Sequence, residues 1–167
     1  MVTIRQADSA EDVRATRRLF VAYARSLDFD LDFQHFEQEL ADLPGCYEPP
    51  TGCTLLAVCD SEPVGCVALR PLDARVCEMK RLFVVPDSRG EGTGKALALA
   101  VLARARVLGY DRMRLDTVTG MVAANTLYAS LGFVRTEPYR HNPLPDASFF
   151  ELELQSAVGG GPLEGGG

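Results

Sequence analysis

The stretch Val84-Val85-Pro86-Asp87-Ser88-Arg89-Gly90-Glu91-Gly92-Thr93-Gly94-Lys95-Ala96-Leu97 constrains this chain more than any other. An apolar strand end runs into a loop with three alternating glycines, and the loop runs into a long apolar segment of helical character. Glycines there let the backbone adopt positive φ and let another group approach closely. The first N–H groups of a helix lack intrahelical partners and favour an anion. Arg89 and Lys95 set two cations beside them. The stretch therefore predicts a phosphate-bearing ligand, against the plainer reading of a bare strand-to-helix turn.

Two common phosphate patterns fail on it. The Walker pattern needs glycine where Arg89 stands, and Ala96 replaces the Ser or Thr that holds magnesium. The dinucleotide pattern G-x-G-x-x-G ends on Lys95 when counted from Gly90 and on Leu97 when counted from Gly92.

The segments around the loop read as an α/β mixed sheet in the order β-α-α-β-β-β-α-β-α-β-β. Val2 to Ala7 alternates as a strand. Ser9 and Asp12 have capping-box spacing and open a helix to about Ser26, and a second helix fits Asp32 to Leu43. Cys53 to Cys59, Val64 to Arg70 and Val76 to Val85 are three consecutive strands of an antiparallel meander. Gly94 to Leu108 is a helix ended by Gly109, Arg112 to Thr117 a strand, and Met121 to Leu131 a short helix closed by Gly132. Phe133 to Arg135 and Phe149 to Leu154 complete the sheet. One domain over residues 1–155 is expected, with a disordered Gly-rich tail at 156–167.

Composition excludes some functions. A net charge of −6 argues against a nucleic-acid surface, which needs clustered Lys and Arg. No apolar run reaches the roughly 18 residues of a membrane span, and no signal sequence opens the chain. Five cysteines, at 46, 53, 59, 66 and 77, with no C-x-x-C and two histidines, give no zinc spacing and point to a reducing, cytoplasmic setting without a metal. His35, His141, Arg104 and Arg106 read as solvated charges.

The loop fits [RQ]-x-x-G-x-[GA] as Arg89, Gly92 and Gly94. With Glu78-Met79-Lys80-Arg81-Leu82-Phe83-Val84-Val85-Pro86 before it and Leu127-Tyr128-Ala129-Ser130-Leu131-Gly132-Phe133 after it, the sequence resembles the GCN5-related N-acetyltransferase (GNAT) superfamily over roughly residues 2–154. The resemblance implies acetyl-CoA as donor. Its pyrophosphate would sit on Arg89, Gly90, Glu91, Gly92, Thr93, Gly94 and Lys95. Its pantetheine arm would add to the backbone of Leu82, Phe83 and Val84, in a strand that the family bulges. Tyr128 matches the family tyrosine that faces the CoA sulfur. Where relatives carry an Asn that contacts CoA, this chain has Met121, with Asn125 one turn later.

Acetyl transfer to an amine needs a neutral amine, and at pH 7 only about one alkylammonium in 10³ is neutral. It also needs a donor for charge on the thioester oxygen and a proton for the leaving thiolate. Tyr128 suits the last role. Two carboxylates compete as base, each by analogy with one branch of the family. Glu78 corresponds to the histone-acetylating branch and Asp116 to the ribosomal-protein N-terminal branch, and ordered water is the third choice. Direct attack in a ternary complex is expected over an acetyl-cysteine intermediate, since neither Cys66 nor Cys77 has a histidine partner in the sequence. The acceptor would be a small-molecule or peptide amine. A homodimer is a common family assembly. The rival reading is a non-catalytic acyl-CoA-binding or sensing module.

Overall fold

Alternating half-buried and exposed side chains over Val2–Gln6 make an edge strand, β1. The computed structural model describes residues 1–31 and 35–155, so the expected tail at 156–167 lies outside the described residues. Helix α1 covers Ala10–Ser26, and its cap forms as the spacing predicts, with Ser9 Oγ accepting the Asp12 amide at 3.1 Å. Helix α2 is shorter than its periodicity predicts. It covers Phe36–Asp42, and His35 before it has φ 56°, a left-handed conformation that cannot continue a right-handed helix. Residues 32–34 of the expected helix lie outside the described residues.

Strands β2 (Cys53–Cys59), β3 (Glu62–Pro71) and β4 (Val76–Val84) form the expected antiparallel meander. Helix α3 (Thr93–Val107) crosses to β5 (Arg112–Val118), helix α4 (Val122–Ser130) follows, and β6 (Val134–Thr136) and β7 (Ala147–Glu153) close the sheet. The seven strands lie in the order β1-β2-β3-β4-β5-β7-β6, with β4–β5 the parallel pair.

Helices cover both sheet faces, which explains why the β2 run is apolar without alternation. Leu55, Ala57, Val67 and Leu69 pack with α3 residues Leu97, Val101 and Ala105 on one face, and Leu56, Cys66 and Ala68 pack with Leu19 and Phe20 of α1 on the other. Gly65 is needed where α3 meets the sheet: a Cβ there would lie 2.9 Å from the Phe83 carbonyl oxygen and 3.1 Å from Leu97 Cδ1. Arg106 is not merely solvated, because its Nε donates to the Leu154 carbonyl at 3.0 Å and ties α3 to the chain after β7. His35 and His141 are exposed. Among the described residues no helix is long and apolar enough to cross a membrane.

Candidate active site

The site begins with a fault in β4. Cys66 pairs with Phe83 and Ala68 with Lys80, so Arg81 and Leu82 together oppose Val67. This is a bulge, and Arg81 carries it at φ 61°, a conformation costing a non-glycine residue about 1–2 kcal/mol. The bulge is held from both sides. The Arg81 carbonyl accepts the Cys66 thiol at 3.2 Å. The Arg81 guanidinium, buried, donates to Glu39 of α2 at 2.9 and 3.0 Å and lies over the rings of Tyr23 and Phe36. Tyr47 Oη donates to the same Glu39 at 2.8 Å.

Beyond the bulge the sheet opens. Strands β4 and β5 pair only at Val76–Arg112, Cys77–Met113 and Glu78–Arg114. The cleft so formed is flanked by two cavities.

The first cavity, about 560 Å³, lies over the glycine loop and includes Leu82, Phe83, Val84, Arg89, Thr93 and Leu127 in its wall. Gly90 and Gly92 have φ 84° and 79°, and a Cβ on either would meet nothing within 4 Å. The space above the loop is therefore open to a ligand. Among the described residues no side chain caps α3, and Thr93 Oγ1 is buried without a partner. Unbonded amides and an orphaned hydroxyl at one helix start suit a pyrophosphate. Arg89 Nε donates to the Val84 carbonyl at 2.8 Å, and its guanidinium stacks over Phe83, so it braces the loop against β4. Glu91 and Lys95 are exposed and do not line this cavity.

In the cleft itself, Tyr23, Leu82 and Met121 border both the loop cavity and a narrow space reaching Asp116 and Tyr128. Tyr128 is buried beside Phe133, and burial pushes its phenol well above the ordinary value. Asn125 is occupied by the scaffold. Its Nδ2 donates to the Val118 carbonyl at 3.0 Å, and its Oδ1 accepts Thr117 Oγ1 at 2.8 Å.

The two carboxylates named from sequence differ in placement. Asp116 faces the cleft and accepts Arg140 at 2.7 Å and Asn142 at 3.1 Å. Glu78 is fully buried. Its Oε1 accepts Arg70 at 2.7 Å, and its Oε2 accepts Tyr139 at 2.5 Å and Arg140 at 3.0 Å.

Sequence reasoning missed Tyr23, Lys80, Arg81, Tyr139 and Arg140. Lys80-Arg81 carried a signal, two adjacent cations inside an apolar strand. Tyr139 and Arg140 carried none, since only the sheet brings their loop beside β4.

A second cavity, about 250 Å³, adjoins the cleft at Lys80 and is lined by α2, the segment after it, Arg70 and Arg140. Burial lowers Lys80 to about 7, with the charge of Arg81 acting in the same direction.

Residues 13–133 match the model of the acetyltransferase (GNAT) family. An uncharacterized N-acetyltransferase of Schizosaccharomyces pombe is 37% identical over 155 residues, covering 92% of this chain and 95% of the relative. Human N-acetylaspartate synthetase is 38% identical over 109 residues, 64% of this chain but 36% of that protein. The structure of YncA from Salmonella typhimurium, an acetyltransferase with acetyl-CoA, superposes with a TM-score of 0.68 at 22% identity, covering 94% of this chain and 96% of that one.

Proposed function

The chain belongs to the acetyltransferase (GNAT) family, and on that premise we propose that it transfers an acetyl group from acetyl-CoA to an amine by direct attack in a ternary complex. The observation that carries this reading is the sheet opened at Arg81 beside a loop whose helix start holds an orphaned Thr93 hydroxyl.

Acetyl-CoA supplies an activated thioester. The amides at Gly92 to Gly94 and Thr93 Oγ1 hold its pyrophosphate, and the open edge of Leu82–Val84 holds the arm as an added strand. Met121 packs against that arm where relatives hydrogen-bond it. Tyr128, kept protonated by burial, donates to the leaving sulfur. Asp116 receives the ammonium of the acceptor, and the proton leaves through water. We assign Glu78 to holding Arg70, Tyr139 and Arg140 rather than to proton transfer, because its oxygens already accept all three.

Two measurements test the reading. Acetyl-CoA should raise the melting temperature and ATP should not, since a ligand specific to the native state stabilises it. Mixed with amines, the protein should release CoA thiol. A stabilising shift without thiol release from any amine would leave a binding module. Asp116→Asn should raise KM for the amine alone, and Glu78→Gln should raise KM for both substrates with kcat little changed.

A further inference from the structure

Resting on the acetyltransferase reading, we propose that Met79 and Leu115 set the size of the acyl group the protein accepts, admitting acetyl and excluding longer chains. The register of the opened sheet puts them in position. Glu78 and Arg114 are the last paired residues of β4 and β5. Met79 and Leu115 come next, one on each strand, and so stand at the vertex where the strands part. Both are buried, at 4% and 2% exposure, and both belong to the core cluster that also holds Tyr128. Both border the narrow space that reaches Asp116 and Tyr128, and they give it an apolar floor at the vertex.

The reacting carbon has to sit in that space, with its sulfur at Tyr128 and the attacking amine at Asp116. The thioester oxygen gains charge and needs a polar donor, so the acyl chain is the one substituent left for apolar side chains. The space holds about 40 Å³, against about 560 Å³ over the glycine loop. One water takes roughly 30 Å³ in the liquid, so a methyl group fills most of such a space and a propyl chain does not fit. The floor is backed by the core. Leu97, Val101 and Leu102 of α3 pack in the same cluster, and a close-packed core resists an inserted methylene.

The test compares acetyl-, propionyl- and butyryl-CoA. Activity is read as CoA release in the presence of L-aspartate, spermidine or a lysine peptide, and binding as Kd by titration calorimetry. Each added methylene should lower kcat/KM by roughly 5- to 150-fold, the range that overpacking a filled core costs, and should weaken binding. Met79→Ala and Leu115→Ala should each recover most of the loss on butyryl-CoA, and Leu115→Val part of it. Val101→Ala, in the same cluster but not bordering the narrow space, should leave the acetyl-to-butyryl ratio unchanged. Circular dichroism verifies folding, and Met79→Ala and Leu115→Val carry the test if Leu115→Ala does not fold. Equal turnover of acetyl- and butyryl-CoA by the wild type overturns the inference and leaves the acetyl-transfer reading standing. So does a ratio that the floor variants leave unchanged, or one that Val101→Ala shifts as far as they do. If no amine releases CoA, the transfer reading falls, and the Kd series upholds or overturns the size limit by itself.

Discussion

Replacing Arg81 by Met tests whether the bulge is locked by a buried ion pair. The side chains of Arg81 and Glu39 are 2% and 11% exposed, so neither charge is screened by water when its partner is removed. Met keeps the apolar stem under Tyr23 and Phe36, and residue 81 keeps its left-handed φ in either case, so the change isolates the charge. Breaking one side of a buried pair costs about 3–5 kcal/mol, because the other charge stays buried. For a chain of this length, 1 kcal/mol moves Tm by roughly 2–4 °C, so the melting point should fall by roughly 6–20 °C. Glu39→Gln should cost less, because the two aromatic rings still face the guanidinium. The double variant leaves neither charge of this pair unpartnered and should fall short of the summed single losses by about 2 kcal/mol or more.

Urea unfolding followed by far-UV circular dichroism is the suitable assay, since the chain has no tryptophan. The pH dependence has a definite sign. Burial pushes the Glu39 carboxyl up, but the hydrogen bonds and charge of Arg81 more than offset this and hold it below the ordinary value. A carboxyl lowered on folding stabilises above its unfolded pKa and loses that stabilisation as pH falls. The gap between wild type and Arg81→Met should therefore narrow in acid. Single losses below about 1 kcal/mol, strictly additive in the double variant, would refute the reasoning.

Three further outcomes are expected. Tyr128→Phe should lower kcat by roughly 10²-fold or more while leaving acetyl-CoA affinity unchanged, as read by single-turnover kinetics and titration calorimetry; a matching loss of affinity would place its role in binding. Thr93→Val removes a hydroxyl that has no partner among the described residues, so the ligand-free protein should be no less stable while the acetyl-CoA melting shift shrinks; an undiminished shift would exclude the hydroxyl from acetyl-CoA binding. Lys80, lowered to about 7 by burial and by Arg81 and Arg140 against the opposing pull of Glu78 and Glu39, releases its proton earlier in the folded state than in the unfolded one. Stability should thus rise with pH from about 7 towards 10, and Lys80→Met should flatten that rise; parallel curves for the two proteins would contradict it.

The element order and the open glycine loop were legible in the sequence because both rest on local physics. Apolar runs, the Ser9 cap, and glycines at a strand-to-helix junction each act within a few residues. The start of α2 was not, since the phenylalanine spacing continues past a backbone turn at His35 that periodicity cannot register. The bulge was implied by resemblance and not by any residue type, for Arg81 is an ordinary side chain in an extraordinary conformation. Asp116 and Tyr128 were placed by the resemblance, and both line the cleft. The second cavity escaped because Lys80 and Arg140, sixty residues apart in sequence, become neighbours only through the sheet.

Glu78 occupies the last paired position before the strands part, and its partners come from opposite sides of the opening. Arg70 extends from β3, on the side of the meander, whereas Tyr139 and Arg140 belong to the loop leading into β7. The residue is a fulcrum on which two half-sheets are pinned, and the width of the gap beyond it follows from how tightly that pin is drawn. A carboxylate at 78 can draw in a guanidinium from each side together with a phenol, whereas an amide of the same shape has no charge for them and one fewer accepting oxygen. A change there would be felt as a jaw set to the wrong opening, weakening the grip on both substrates at once while the chemistry, once they are gripped, runs on the same protons.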